Sequence, residues 1–117
     1  MTLKEFYQNI DGDYEDVIGR IGSEERVQPI LAMFREDSSY QWLAKAIEGK
    51  DWDSAFDAAH TLKGLCLSLG FAPITPYILA LTDALREGQR DIEPVPYLWQ
   101  KVQRAYARVM DALKRLR

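Results

Sequence analysis

Asp53-Ser-Ala-Phe-Asp-Ala-Ala-His-Thr-Leu-Lys-Gly-Leu-Cys-Leu-Ser-Leu-Gly70 holds apolar residues that recur every three or four positions, with no proline and no alternating β-branched run. That spacing is the pattern of an amphipathic helix. At about 100° per residue, Trp52, Ala55, Phe56, Ala59, Leu62, Cys66 and Leu69 fall on one broad arc centred near Ala59. An arc that wide has to be covered by other helices. The helix starts at about Asp51 or Asp53, and Gly70 suits a left-handed C-terminal cap.

The same period continues in both directions. Upstream, Thr2 with Glu5 three residues later reads as a capping box ahead of Leu3, Phe6 and Ile10. Asp13 can cap a second short piece carrying Tyr14, Val17, Ile18 and Ile21, and Gly12, Gly19 and Gly22 break this region into parts. Val27, Ile30, Leu31 and Phe34 mark a helix to about Glu36. Ser38 with Gln41 reads as a second capping box, opening a helix with Trp42, Leu43, Ala46 and Ile47 inward and Gly49 at its end. Downstream, Thr75-Pro76 reads as an N-cap with proline at the first helical position, for a helix carrying Ile78, Leu81 and Leu85 and ending at Gly88. Pro94 and Pro96 open a last helix with the stripe Val95, Leu98, Val102, Tyr106, Val109, Leu113 and Leu116. Short connections between amphipathic helices favour antiparallel neighbours. The expected fold is all-α: an up-down antiparallel four-helix bundle over residues 23–117, with short N-terminal helices over 1–22 as a cap. The 117 residues make one domain.

Composition narrows the function classes. The chain is 47% hydrophobic and 28% charged, ordinary for a globular protein and unlike a disordered one. No apolar run approaches the roughly 18 residues of a membrane span, and the start Met-Thr-Leu-Lys-Glu-Phe-Tyr does not resemble a secretory signal. The lone Cys66 allows no internal disulfide, which fits a cytoplasmic location. The net charge of −3 is uneven: residues 1–62 hold 6 Lys/Arg against 13 Asp/Glu, and residues 63–117 hold 9 against 5. Lys101, Arg104, Arg108, Lys114, Arg115 and Arg117 concentrate the basic excess at the end of the chain. In an acidic chain such a run reads as a solvated face rather than a nucleic-acid site. A monomer that binds neither nucleic acid nor membrane is expected.

The chemistry concentrates at His60, the only histidine. Residues three and four apart are helix-surface neighbours, so Lys63 and Gly64 sit beside it. Glycine inside a helix costs about 1 kcal/mol relative to alanine. Because Gly64 projects outward on the wheel, access to the His60 face explains it better than close helix packing. Imidazole is a nucleophile at neutral pH, and phosphoryl transfer depends on positioning and on neutralising charge at the phosphoryl oxygens. Lys63, its stem along the core and its ammonium outward, supplies part of that charge. Cys66 falls on the apolar arc and reads as core. No glycine-rich nucleotide loop is present, so self-phosphorylation from ATP is not expected, and one His with one Cys makes no usual zinc site.

Ala59-His60-Thr61-Leu62-Lys63-Gly64, followed by Leu69-Gly70, resembles the signature of histidine-containing phosphotransfer (HPt) domains. The Gly49-Lys50-Asp51-Trp52 turn and Ala55 through Ala59 match its usual lead-in, and the likeness runs from about Ser23 to the C-terminus. It implies a helical bundle that carries a phosphoryl group between aspartates of response-regulator receiver domains in a two-component phosphorelay. His60 would be the phosphohistidine, Lys63 the phosphate neighbour and Gly64 the clearance for a receiver. It also implies a hybrid sensor histidine kinase as partner, Mg²⁺ held by the receiver and no cofactor held by this chain. Family members often place a polar side chain on the next helix near the imidazole, and Thr82 is the candidate here. Leu67, on the His60 side of the wheel, belongs either to a docking patch or to the core. The alternative to a phosphoryl carrier, a phosphoprotein without independent turnover, is a module that docks a receiver or kinase without carrying phosphate.

Overall fold

The structure, a computed structural model, describes residues 1–116. Among them are seven helices and no strand: α1 Leu3–Asn9, α2 Tyr14–Ile21, α3 Glu24–Glu36, α4 Ser39–Glu48, α5 Trp52–Leu69, α6 Thr75–Leu85 and α7 Val95–Arg115. The all-α reading holds. Helices α4, α5, α6 and α7 pack in chain order, each against the next, and α3 lies against α5.

The central helix begins where Asp51 turns its carboxylate onto the Ser54 amide at 3.2 Å and the Ser54 hydroxyl at 2.7 Å. Those bonds, the hydroxyl's first, hold the Asp51 carboxyl below its ordinary range. It ends at Gly70, in the left-handed region at φ 63°. The Gly70 position is also crowded, because an added Cβ would stand 2.5 Å from Val17 Cγ2. Glycine thus serves both the turn and the close approach of α2.

The caps show where local patterns yield to tertiary geometry. The Thr2–Glu5 capping box forms in both directions, and Asp13 caps α2. Ser38 does not cap α4 with its side chain. Its backbone, at φ −101° and ψ 7°, lacks the extended form an N-cap needs, and the Asp37 carboxylate accepts from the Ser39 amide instead. Thr75 is likewise not a cap. The chain turns helically from Phe71 onward, Ile74 holds the cap position, and the Thr75 hydroxyl donates to the Phe71 carbonyl at 2.9 Å. Helix α6 stops at Leu85, short of Gly88, where Arg90 Nε donates to the Leu85 carbonyl.

A chain of aromatic rings ties the layers together. Phe6 of α1 meets Phe71 edge-on, Phe71 meets Phe34 of α3 at 4.8 Å, Phe34 meets Tyr106 of α7, and Tyr106 stacks on Tyr40 of α4 at 3.7 Å. Such contacts add to the burial of large apolar area. The N-terminal helices close the end of the bundle at which α5 finishes. The buried Tyr7 hydroxyl donates to the Leu69 carbonyl at 2.6 Å, and Arg20 Nη2 donates to the Leu67 and Ser68 carbonyls at 3.3 Å. Carbonyls at the last turn of α5, where a helix end leaves acceptors over, thereby gain donors from α1 and α2. None of the described helices is long and apolar enough to cross a membrane.

Candidate functional site

Helix α5 buries Ala55, Ala58, Ala59, Leu62, Cys66 and Leu69, which turns the opposite edge of the same helix outward. His60 is exposed on that edge. Its ring stacks on Phe56, one turn earlier, with centroids 5.9 Å apart and planes at 23°. The Arg86 guanidinium, at the end of α6, lies 5.3 Å from the Phe56 ring centroid. Arg86 is held in turn by Asp83, with Nη2 3.1 Å from Oδ1. An arginine, a phenyl ring and the imidazole therefore follow one another across the α5–α6 junction.

Lys63 is half-buried and Gly64 is exposed. A Cβ built on Gly64 would meet no heavy atom within 4 Å, so helix packing is not what requires glycine there. Leu67 is 45% exposed, which excludes the core alternative for it. His60, Gly64 and Leu67 thus line one open ridge.

Thr82 has to be corrected. It is fully buried on α6, and its hydroxyl donates to the Ile78 carbonyl at 2.6 Å. The side chain is too short to leave the α5–α6 interface, and its proton is committed to its own helix. No polar group from Thr82 reaches the exposed ridge. Arg86 is the α6 side chain that comes to the edge of the site, and the sequence reading passed over it. The only signal was a cation just past the last apolar residue of α6; its contact with Phe56 depends on how α6 lies on α5.

On the other flank, a groove of about 460 Å³ separates α4 from α5. Trp42, 61% exposed, and Lys45 stand on its α4 side, with Asp57 and Thr61 on its α5 side. Asp57 and Thr61 adjoin His60 in sequence and on the helix surface, so an exposed indole borders the ridge.

The Hpt domain family model matches residues 29–116, most of the chain. The chain belongs to the Hpt domain family. No curated relative and no solved structure matches it. Hpt domains serve histidine phosphotransfer in two-component signalling and interact with receivers and kinases, and this protein shares that role. The matched region begins inside α3, so α1 and α2, which cap the end of the histidine-bearing helix, lie outside the Hpt match.

Proposed function

We propose that this Hpt domain relays a phosphoryl group between aspartates of response-regulator receiver domains through phosphohistidine at His60. The observation that carries the reading is the pairing of the chain's single, exposed histidine with open space one turn along at Gly64. An incoming aspartyl phosphate needs its phosphorus in line with an imidazole nitrogen. The nitrogen lone pair forms the N–P bond as the P–O bond breaks, and the electron pair leaves on the aspartate carboxylate. A bulky side chain at position 64 would hold the receiver away.

Most of the work in such a transfer is positioning and charge neutralisation. Phe56 restrains the imidazole by stacking and is itself braced by Arg86, while Lys63, a helix-surface neighbour of His60, supplies the cation for the phosphoryl oxygens. Mg²⁺ belongs to the receiver's acidic pocket, and this chain holds no cofactor of its own. Leu67 and Trp42 give a receiver apolar contacts on either side of the transfer point, and a sensor kinase reaches the relay through its receiver domain.

Incubation with a phosphorylated receiver and Mg²⁺ is expected to leave an acid-labile, base-stable phosphoryl group on His60. His60→Gln abolishes it without changing the helical circular dichroism. ATP with Mg²⁺ alone leaves the protein unmodified. Labelling of His60→Gln at the wild-type rate would overturn the assignment.

A further inference from the structure

We propose that the groove between the start of α6 and the middle of α7 receives a short acidic segment of a protein partner, held by Lys101 and Arg104. The groove encloses about 430 Å³. Its floor is apolar, from Pro73, Pro76 and Ala105, and its ionisable lining side chains other than Tyr77 are all cations: Lys101, Arg104 and Arg108. That is a local excess of positive charge on a chain of net charge −3.

The three cations are not equivalent. Arg108 is already engaged, its Nη2 donating to the Asn9 carbonyl at 2.9 Å and to Asp11 Oδ2 at 2.7 Å. It forms a fixed wall. Lys101 lies over the Tyr97 ring at 5.4 Å, and neither Lys101 nor Arg104 meets a carboxylate among the described residues. Exposed ion pairs are individually weak, so an anion alone would be held poorly. An acidic segment that also lays an apolar side chain on the proline floor gains burial as well as charge.

The surroundings choose a peptide over a polynucleotide. A neighbouring groove, sharing Ala72 with this one, is lined by three carboxylates, Asp11, Asp13 and Glu15, against one lysine, Lys4. A polyanion running on past the proline floor in that direction would meet those carboxylates. A short acidic stretch ends before them. The site also lies beyond the C-terminal end of α5, nine residues and so roughly 14 Å along the helix from His60. A segment bound there leaves the ridge free, and this surface is independent of the phosphotransfer reading.

The test starts from random peptides displayed on phage and selected on the intact protein, with the recovered peptides then measured by fluorescence anisotropy. Sequences with Asp or Glu flanking an apolar residue are expected, with affinity falling as salt rises. Arg104→Glu should weaken them about tenfold or more through the lost and reversed ion pair. Lys114→Glu, the same charge change on α7 outside the groove, should change affinity far less. Thermal melts verify that both variants are folded. The proposal is overturned if no acidic preference emerges, if the two variants weaken binding equally, or if oligodeoxythymidine binds the groove more tightly than the peptides.

Discussion

At Gly64 the sequence posed a choice between helix packing and partner access; the empty space around its Cβ position removes packing as the reason and leaves the room that the proposed access needs. Gly64→Gln therefore keeps or raises stability, by several tenths of a kcal/mol, because glutamine is the better helix former. Transfer to His60 slows severely in the same variant, since the new side chain stands beside the imidazole. Urea melts and single-turnover phosphotransfer read the two effects separately, and a clear stability loss with transfer intact would refute the docking role. Thr82 shows the opposite outcome. Its position in the sequence brought it to the right helix, but whether a hydroxyl faces outward or is used by the preceding turn depends on how α6 rolls against α5. Residue type and spacing do not carry that rotation.

Among the elements, α5 is stabilised at its C-terminal end by groups far away in sequence. The Tyr7 hydroxyl is buried with its acceptor, the Leu69 carbonyl. Burial pushes the phenol well above its ordinary pKa, so it remains a donor at neutral pH. Tyr7→Phe removes the donor and leaves a buried carbonyl without it, at a cost of about 1–3 kcal/mol. Amide exchange should then quicken in the last turn of α5 while the turn bearing His60 keeps its protection; uniform quickening along α5 would contradict the local role of this bond. The helices themselves were legible in the sequence, since their apolar period is local. The uncapped starts of α4 and α6 at Ser38 and Thr75 were not, because the chain's direction there is set by the Asp37 carboxylate on the Ser39 amide and by the helical turn that Phe71 begins.

Across the whole molecule, several buried protons respond together to alkali. Burial pushes the Cys66 thiol up to about 12, and burial is also the largest cause raising Tyr7, Tyr40 and Tyr106. Each group keeps its proton longer in the folded chain than in the unfolded one. Above about pH 9 the unfolded state therefore binds fewer protons, and stability falls as pH rises. The stabilising contribution is complete below that range and is lost towards pH 12. Thermal melts from pH 7 to 11 should show a plateau and then a decline; a flat midpoint to pH 11 would show these groups ionising freely in the folded protein. The same burial makes Cys66 inert to alkylation until the chain unfolds.

The sequence by itself determined the helical class, the seven segments and the alignment of His60, Lys63 and Gly64, because each follows from spacing along one helix. It also set the acidic and basic halves of the chain. Only the tertiary structure decided which side of Gly64 is open, that Leu67 is exposed, that Thr82 is buried and that Arg86 approaches Phe56. It alone brought Tyr7 and Arg20 to the end of α5 and gathered Lys101 and Arg104 above the Pro73–Pro76 floor. Those facts depend on the relative rotation and depth of packed helices. Such quantities are set by many side chains meeting at once, so no single segment of sequence contains them.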